Sequence, residues 1–165
     1  MRKSDIIPHK IFTLPGLLFE LQRWRFLGKT IAFTNGCFDI LHEGHIASLS
    51  AAATEADYLV VGLNSDRSAR KLKGEGRPVN SEHARAMVLA SLLMVDAVII
   101  FDEDTPLELI KSILPEVLVK GGDYTLDQIA GAKEVMAAGG KVVINPILEG
   151  FSTTKILEKI KGNKS

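Results

Sequence analysis

The sequence is short of several things at once. Aromatic residues make up 6% of it, and cysteine occurs once, as Cys37. One cysteine permits no intrachain disulfide, so redox arguments leave the compartment open. Neither sign of charge is in excess: Lys plus Arg is 20 and Asp plus Glu is 20. Without a basic field there is little to hold a phosphodiester backbone by counterion release, which disfavours a polynucleotide partner. No run approaches the ~20 apolar residues of a membrane span. The opening MRKSDIIPHKIF is charged, is broken by Pro8 and lacks the apolar core of a signal peptide. These absences predict a cytoplasmic protein with neither nucleic acid nor membrane as partner.

What is present is the composition of a soluble globular domain: 165 residues, 46% hydrophobic and 24% charged. That length buries a real core within one domain. Short β-rich runs alternate with helical patterns. The runs are Lys29–Thr34, Asp57–Leu63, Ala97–Phe101, Val117–Lys120 and Lys141–Asn145. Helical stretches fall at about Gly44–Thr54, Asp66–Leu72, Ser81–Leu93, Pro106–Ile113 and Gly131–Ala138, and a last one begins near Ser152. Runs this short and apolar suit strands buried on both faces of a parallel sheet. The alternation predicts a doubly wound α/β domain with five parallel strands over residues 29–165. Residues 1–28 read as an extension with a covering helix, Leu14–Leu27, whose Leu17, Leu18, Leu21, Trp24 and Leu27 form an apolar stripe. It would cover the sheet or a sister subunit. In such folds the ligand lies beyond the carboxyl ends of the strands, where strand order reverses.

Four segments at those ends carry chemistry. After the first run stand Asn35, Gly36, Cys37, Phe38 and Asp39, then His42-Glu43-Gly44-His45 at a helix start. A helix N-terminus with two imidazoles suits a phosphate, and Gly44 allows close approach. A solvated pair or a metal pair are the alternatives, although a zinc site wants further ligands and none stands out. Ser152, Thr153 and Thr154 open the last helix, as a cap or as a second anion cradle. Lys71-Leu72-Lys73-Gly74-Glu75-Gly76-Arg77 is a solvated connection or a lid carrying Lys73 or Lys71 over a phosphate. Lys120, Gly121, Gly122 and Asp123 form either a tight turn or a backbone surface for a base or ribose. Asn64 and Asp66, just past the second run, join Lys71 and Arg85 as candidate substrate or support residues.

In this order the segments resemble the cytidylyltransferase-like nucleotidyltransferases, from about Lys29 to Ile160. G-C-F-D-I-L-H-E-G-H is similar to the family's G-x-F-D-x-x-H-x-G-H signature, and S-T-T-K to its C-terminal phosphate motif. T-N-G-C-F-D-I-L-H, V-N-S-E-H, E-D-T-P, L-V-K-G-G-D-Y and I-A-G-A-K-E-V resemble most the D-glycero-β-D-manno-heptose 1-phosphate adenylyltransferases, which form the second half of bifunctional ADP-heptose synthases. Those proteins carry a sugar kinase ahead of this domain, so the chain is expected to be a stand-alone adenylyltransferase. Glycerol-3-phosphate cytidylyltransferases are the nearest competitor. They have G-D-D-W where this chain has Gly121-Gly122-Asp123-Tyr124, and arginine where Leu93 stands.

The resemblance implies a Rossmann-like nucleotidyltransferase fold and attack of a sugar 1-phosphate on the α-phosphorus of ATP, with Mg²⁺ accompanying the triphosphate. It implies catalytic roles for His42, His45 and Lys73, with Cys37 as a wall residue. Arg85 aligns with a family arginine and would support the sugar-phosphate side or the loop, or else form a surface ion pair. Asp39 would orient His42 or a magnesium–water shell. Relatives are often dimers. A non-catalytic nucleotide-binding module, a phosphopantetheine adenylyltransferase and an RNA-acting relative akin to aminoacyl-tRNA synthetases are the other readings. The last would need an RNA-binding domain and a basic face.

Overall fold

The computed structural model describes residues 5–146 and 153–162. Its frame is a sheet of six parallel strands: β1 (Ile11–Phe12), β2 (Ile31–Gly36), β3 (Tyr58–Asn64), β4 (Ala97–Phe101), β5 (Val117–Gly121) and β6 (Lys141–Asn145). The order across the sheet is β1-β4-β3-β2-β5-β6. The chain leaves β2 toward β3 and β4, then returns to pair β5 on the opposite side of β2. The strand order therefore reverses at β2, and a crevice opens between the carboxyl ends of β2 and β5.

Five of these strands are the predicted ones. The sixth, β1, corrects the expected count. Two residues are too short to show a period, and their place is set by long-range pairing with Val98 and Ile99. Lys10 beside β1 reinforces this edge, its ammonium donating to the Val95 carbonyl at 2.7 Å.

The helices are α1 (Ile6–His9), α2 (Leu14–Phe26), α3 (Glu43–Ala53), α4 (Asp66–Lys73), α5 (Glu82–Ala90), α6 (Leu107–Ile113), α7 (Ala132–Ala137) and α8 (Thr153–Gly162), with a short 3₁₀ turn at Leu126–Gln128. Local chemistry sets several starts. The Thr13, Ser65 and Ser81 hydroxyls accept from the Gly16, Ser68 and Ala84 N–H groups, capping α2, α4 and α5. Helix α5 stops before the predicted Leu93, at Ser91. Lys73 closes α4 rather than sitting in the glycine loop, because the helix runs until Gly74 adopts a left-handed φ of 87°.

Successive strand residues feed opposite faces of the sheet. Val60 faces a core with Leu17, Leu21 and Trp24 of α2 and Ile110 of α6. Leu59, Val61 and Leu63 face one with Leu49 of α3 and Leu89 of α5. Trp24 also stacks on Tyr58, ring centres 4.1 Å apart. Helix α2 thus covers the sheet, while Leu27 leaves the expected stripe: it lies past the helix end and is 58% exposed. No helix among the described residues is long and apolar enough to cross a membrane.

Candidate active site

The crevice holds a cavity of about 650 Å³. Strand β2 delivers Asn35 and Gly36 to its floor, and the following turn carries Cys37, Phe38 and Asp39 along its wall. Phe38 has a φ of 43°, a left-handed conformation costing a side-chain-bearing residue roughly 1–2 kcal/mol. Its ring lies 5.4 Å from that of His45. A Cβ on Gly36 would come within 3.0 Å of the Phe38 ring, so Gly36 permits this folded turn.

His42 occupies the cap position of α3, and its carbonyl accepts from the His45 N–H at 2.9 Å. The two imidazoles stack with ring centres 3.9 Å apart. Burial, then the neighbouring His42 and Lys73, lowers the His45 pKa to about 4; burial lowers that of His42 as well. Both rings are therefore neutral near pH 7. His45 Nδ1 is buried and has no hydrogen-bond partner among the described residues. Gly44 also lines the cavity.

Lys120 enters from β5, its ammonium 3.3 Å from Asn35 Oδ1 and 5.5 Å above the Tyr124 ring. Burial pulls its pKa below that of a free lysine. Lys73 reaches the cavity from the end of α4. Gly121 lines it too, but Gly122 and Asp123 do not. The Gly122 N–H is taken by the Asn145 carbonyl at 3.0 Å, and Asp123 is exposed in the bend that follows β5. Thr153, at the start of α8, lines the cavity with its hydroxyl 3.2 Å from the Ile40 carbonyl. Ser152 lies outside the described residues, as does the Thr154 side chain.

Several of the expected residues have specific partners. Asp39 has both carboxylate oxygens engaged, by the Arg77 guanidinium and by the N–H groups of Val79 and Asn80. Lys71 pairs with Asp104 and is not part of the cavity lining. Arg85 is 2% exposed and no surface ion pair: it donates to the carbonyls of Cys37, Asn64 and Asn80 and to Asp66 at 2.6–3.0 Å. It braces the cavity wall from behind. Asn64 lines the cavity, its amide held by Ser68 Oγ at 2.9 Å, while Asp66 stands outside it. Leu93 is 96% exposed and does not line the cavity.

Some lining residues had no assigned role: Thr105 and Pro106 after β4, and Gln128 to Ala130 after β5. Their position just past strand ends is the signal that could have found them. Cys37 is half-buried and its thiol pKa is pushed up, chiefly by burial, which suits a wall and not a nucleophile.

Comparison with known proteins places this geometry. The cytidylyltransferase-like family model matches residues 33–159. The bifunctional protein HldE of Rhodopseudomonas palustris (strain BisB5) is 59% identical over 142 residues, covering 86% of this chain and 29% of that protein. The bifunctional protein HldE of Bradyrhizobium diazoefficiens is 54% identical over 168 residues, covering 97% and 34%. The chain thus spans about a third of the length of these curated relatives. A crystal structure of the lipopolysaccharide core biosynthesis protein from Thermoplasma volcanium GSS1 superposes with a TM-score of 0.59 at 27% identity, covering 73% of this chain and 98% of that one. With a switch-point cavity, an H-x-G-H helix start and a family match over most of its length, the chain belongs to the cytidylyltransferase-like family.

Proposed function

We propose that the chain transfers AMP from ATP to a sugar 1-phosphate, D-glycero-β-D-manno-heptose 1-phosphate, forming ADP-heptose and pyrophosphate for lipopolysaccharide or surface-glycan synthesis. The observation that carries this reading is the pair of neutral, stacked imidazoles at the start of α3, facing one cavity with Lys73 and Lys120. The likeness to HldE proteins and to a lipopolysaccharide core biosynthesis protein supports the sugar.

A phosphate oxygen of the sugar attacks the α-phosphorus, the bond to the bridging oxygen breaks, and pyrophosphate leaves in line. Both reactants are anions, so the protein's work is alignment and charge neutralisation. His42 and His45 donate to the α- and β-phosphates, strengthening as charge develops. Ser152, Thr153 and Thr154 hold the β- and γ-phosphates. Asn35, Gly36, Cys37, Phe38 and Gly44 shape the nucleotide's bed, and Lys120 and Gly121 bound it on the β5 side. Lys73 closes over the reacting phosphate; Arg85, Asn64 and Asp66 support that wall.

Mg²⁺ would neutralise triphosphate charge. Among the described residues no group of three or more His, Cys, Asp or Glu side chains gathers to hold a metal, so phosphate oxygens would be its main ligands. The machinery is assigned to residues 29–165, with 1–28 an extension that completes the sheet edge, and the working unit to a homodimer.

Pyrophosphate release across a matrix of nucleoside triphosphates and sugar phosphates tests the reading. ATP with heptose 1-phosphate is expected to exceed CTP with glycerol 3-phosphate by a wide margin in kcat/KM. Preference for the CTP pair would make the chain a small-molecule cytidylyltransferase. Nucleotide binding without turnover on any acceptor would make it a binding module.

A further inference from the structure

The segment between α4 and α5 is fastened at one end and free at the other. Residues 71–76 are exposed, and Gly74 and Gly76 take left-handed φ values of 87° and 77° with open space around them. At residue 77 this changes. The Arg77 guanidinium donates to Asp39 Oδ2 at 2.6 Å, and these side chains are only 14% and 1% exposed. The Val79 and Asn80 N–H groups donate to the same carboxylate at 2.8–3.0 Å. The Asn80 side-chain amide returns a bond to the Asp39 carbonyl at 2.8 Å. From the far side, Arg85 donates to the carbonyls of both Asn80 and Cys37.

Burial alone would raise the Asp39 pKa, but the Asn80 and Val79 N–H groups and Arg77 outweigh it and hold the carboxyl below its usual range. The latch is thus a buried, charge-assisted knot between the phosphate turn and the root of the glycine loop. Asp39 stands three residues before His42, and Arg77 four after Lys73. Lys73 is near enough for its charge to act on both His45 and Cys37.

We propose that Arg77 is a positioning residue: by tying the connection that follows α4 to Asp39 it fixes where Lys73, the last residue of α4, meets the phosphate held by the two histidines. The proposal rests on the nucleotidyl-transfer reading for its kinetic consequence, though not for the latch itself. Misplacing a group by about an ångström can cost on the order of 10²-fold in rate, so a loosened root lowers kcat more than it weakens nucleotide binding.

The test uses the full chain with Arg77→Ala and Arg77→Lys. In the nucleotide-free protein, hydrogen exchange at the Val79 and Asn80 amides should quicken in Arg77→Ala while the strand amides of β2 and β3 stay protected. In turnover, kcat should fall by roughly 10–100-fold with KM for ATP nearly unchanged, and Arg77→Lys should recover part of the loss. Unchanged exchange at Val79 and Asn80 overturns the latch. Unchanged kcat, or a loss borne by KM alone, overturns the positioning role. Should the native chain itself release no pyrophosphate with any substrate pair, the functional reading fails, and the exchange arm still decides the latch.

Discussion

Two imidazoles stacked at 3.9 Å can both carry protons only against mutual repulsion, and burial adds to that cost. Burial first, then the charges of His42 and Lys73, lowers the His45 pKa to about 4, so without nucleotide the ring is neutral at neutral pH. A donor serves transition-state charge if its bond strengthens as the pyrophosphate departs. His45→Ala is therefore expected to keep the fold, to lose about 10²–10³ in kcat and to bind ATP almost as well. Single-turnover and steady-state rates with a melting curve check this; near-native kcat in a folded variant would reduce His45 to a helix-start residue. The residue scale also shows where spacing misleads. The carboxylate of Asp39 sits in the signature, yet its partners are 38–41 positions away, and no local pattern announces them.

At the scale of elements, the question is what the α4–α5 connection does when the cavity is empty. Gly74, Glu75 and Gly76, which follow the end of α4, are exposed, so little offsets the entropy of ordering them. A triphosphate meeting Lys73 supplies charge-assisted hydrogen bonds in a site from which water is leaving. Residues 71–77 are expected to exchange fast without nucleotide and more slowly with a non-hydrolysable ATP analogue and Mg²⁺. Lys73→Ala is expected to abolish most of that difference and to slow turnover. Equal exchange in both states together with full activity of the variant would leave a solvated connection.

Across the whole molecule, the extension before Lys29 is bound into the domain. Leu17 and Leu21 are 0% and 1% exposed in the same core as Val60, Ile99 and Leu118. Leu21→Ala should cost about 2–5 kcal/mol, read as a lower denaturant midpoint at constant m-value. A cost under about 0.5 kcal/mol, the range of a surface change, would mean that the helix is a separable cover. The opposite side of α2 is different: Phe19 and Phe26 are 71% and 90% exposed, so the helix buries one stripe only.

The sequence by itself determined the α/β class, five of the six strands and the strand ends around which the cavity opens. These are written in local periods, caps and glycine placement, which neighbouring residues enforce. Only the tertiary structure decided the rest. It added a two-residue edge strand held by β4, and extended α4 through Lys73. It left Gly122 and Asp123 out of the cavity lining and drew Asp39 to Arg77. It also buried Arg85 among three carbonyls, where the sequence alone left a surface ion pair open. The reason is physical. A buried charge takes whichever partners the folded chain brings within about 3 Å, and a parallel sheet assembles those partners from segments dozens of residues apart.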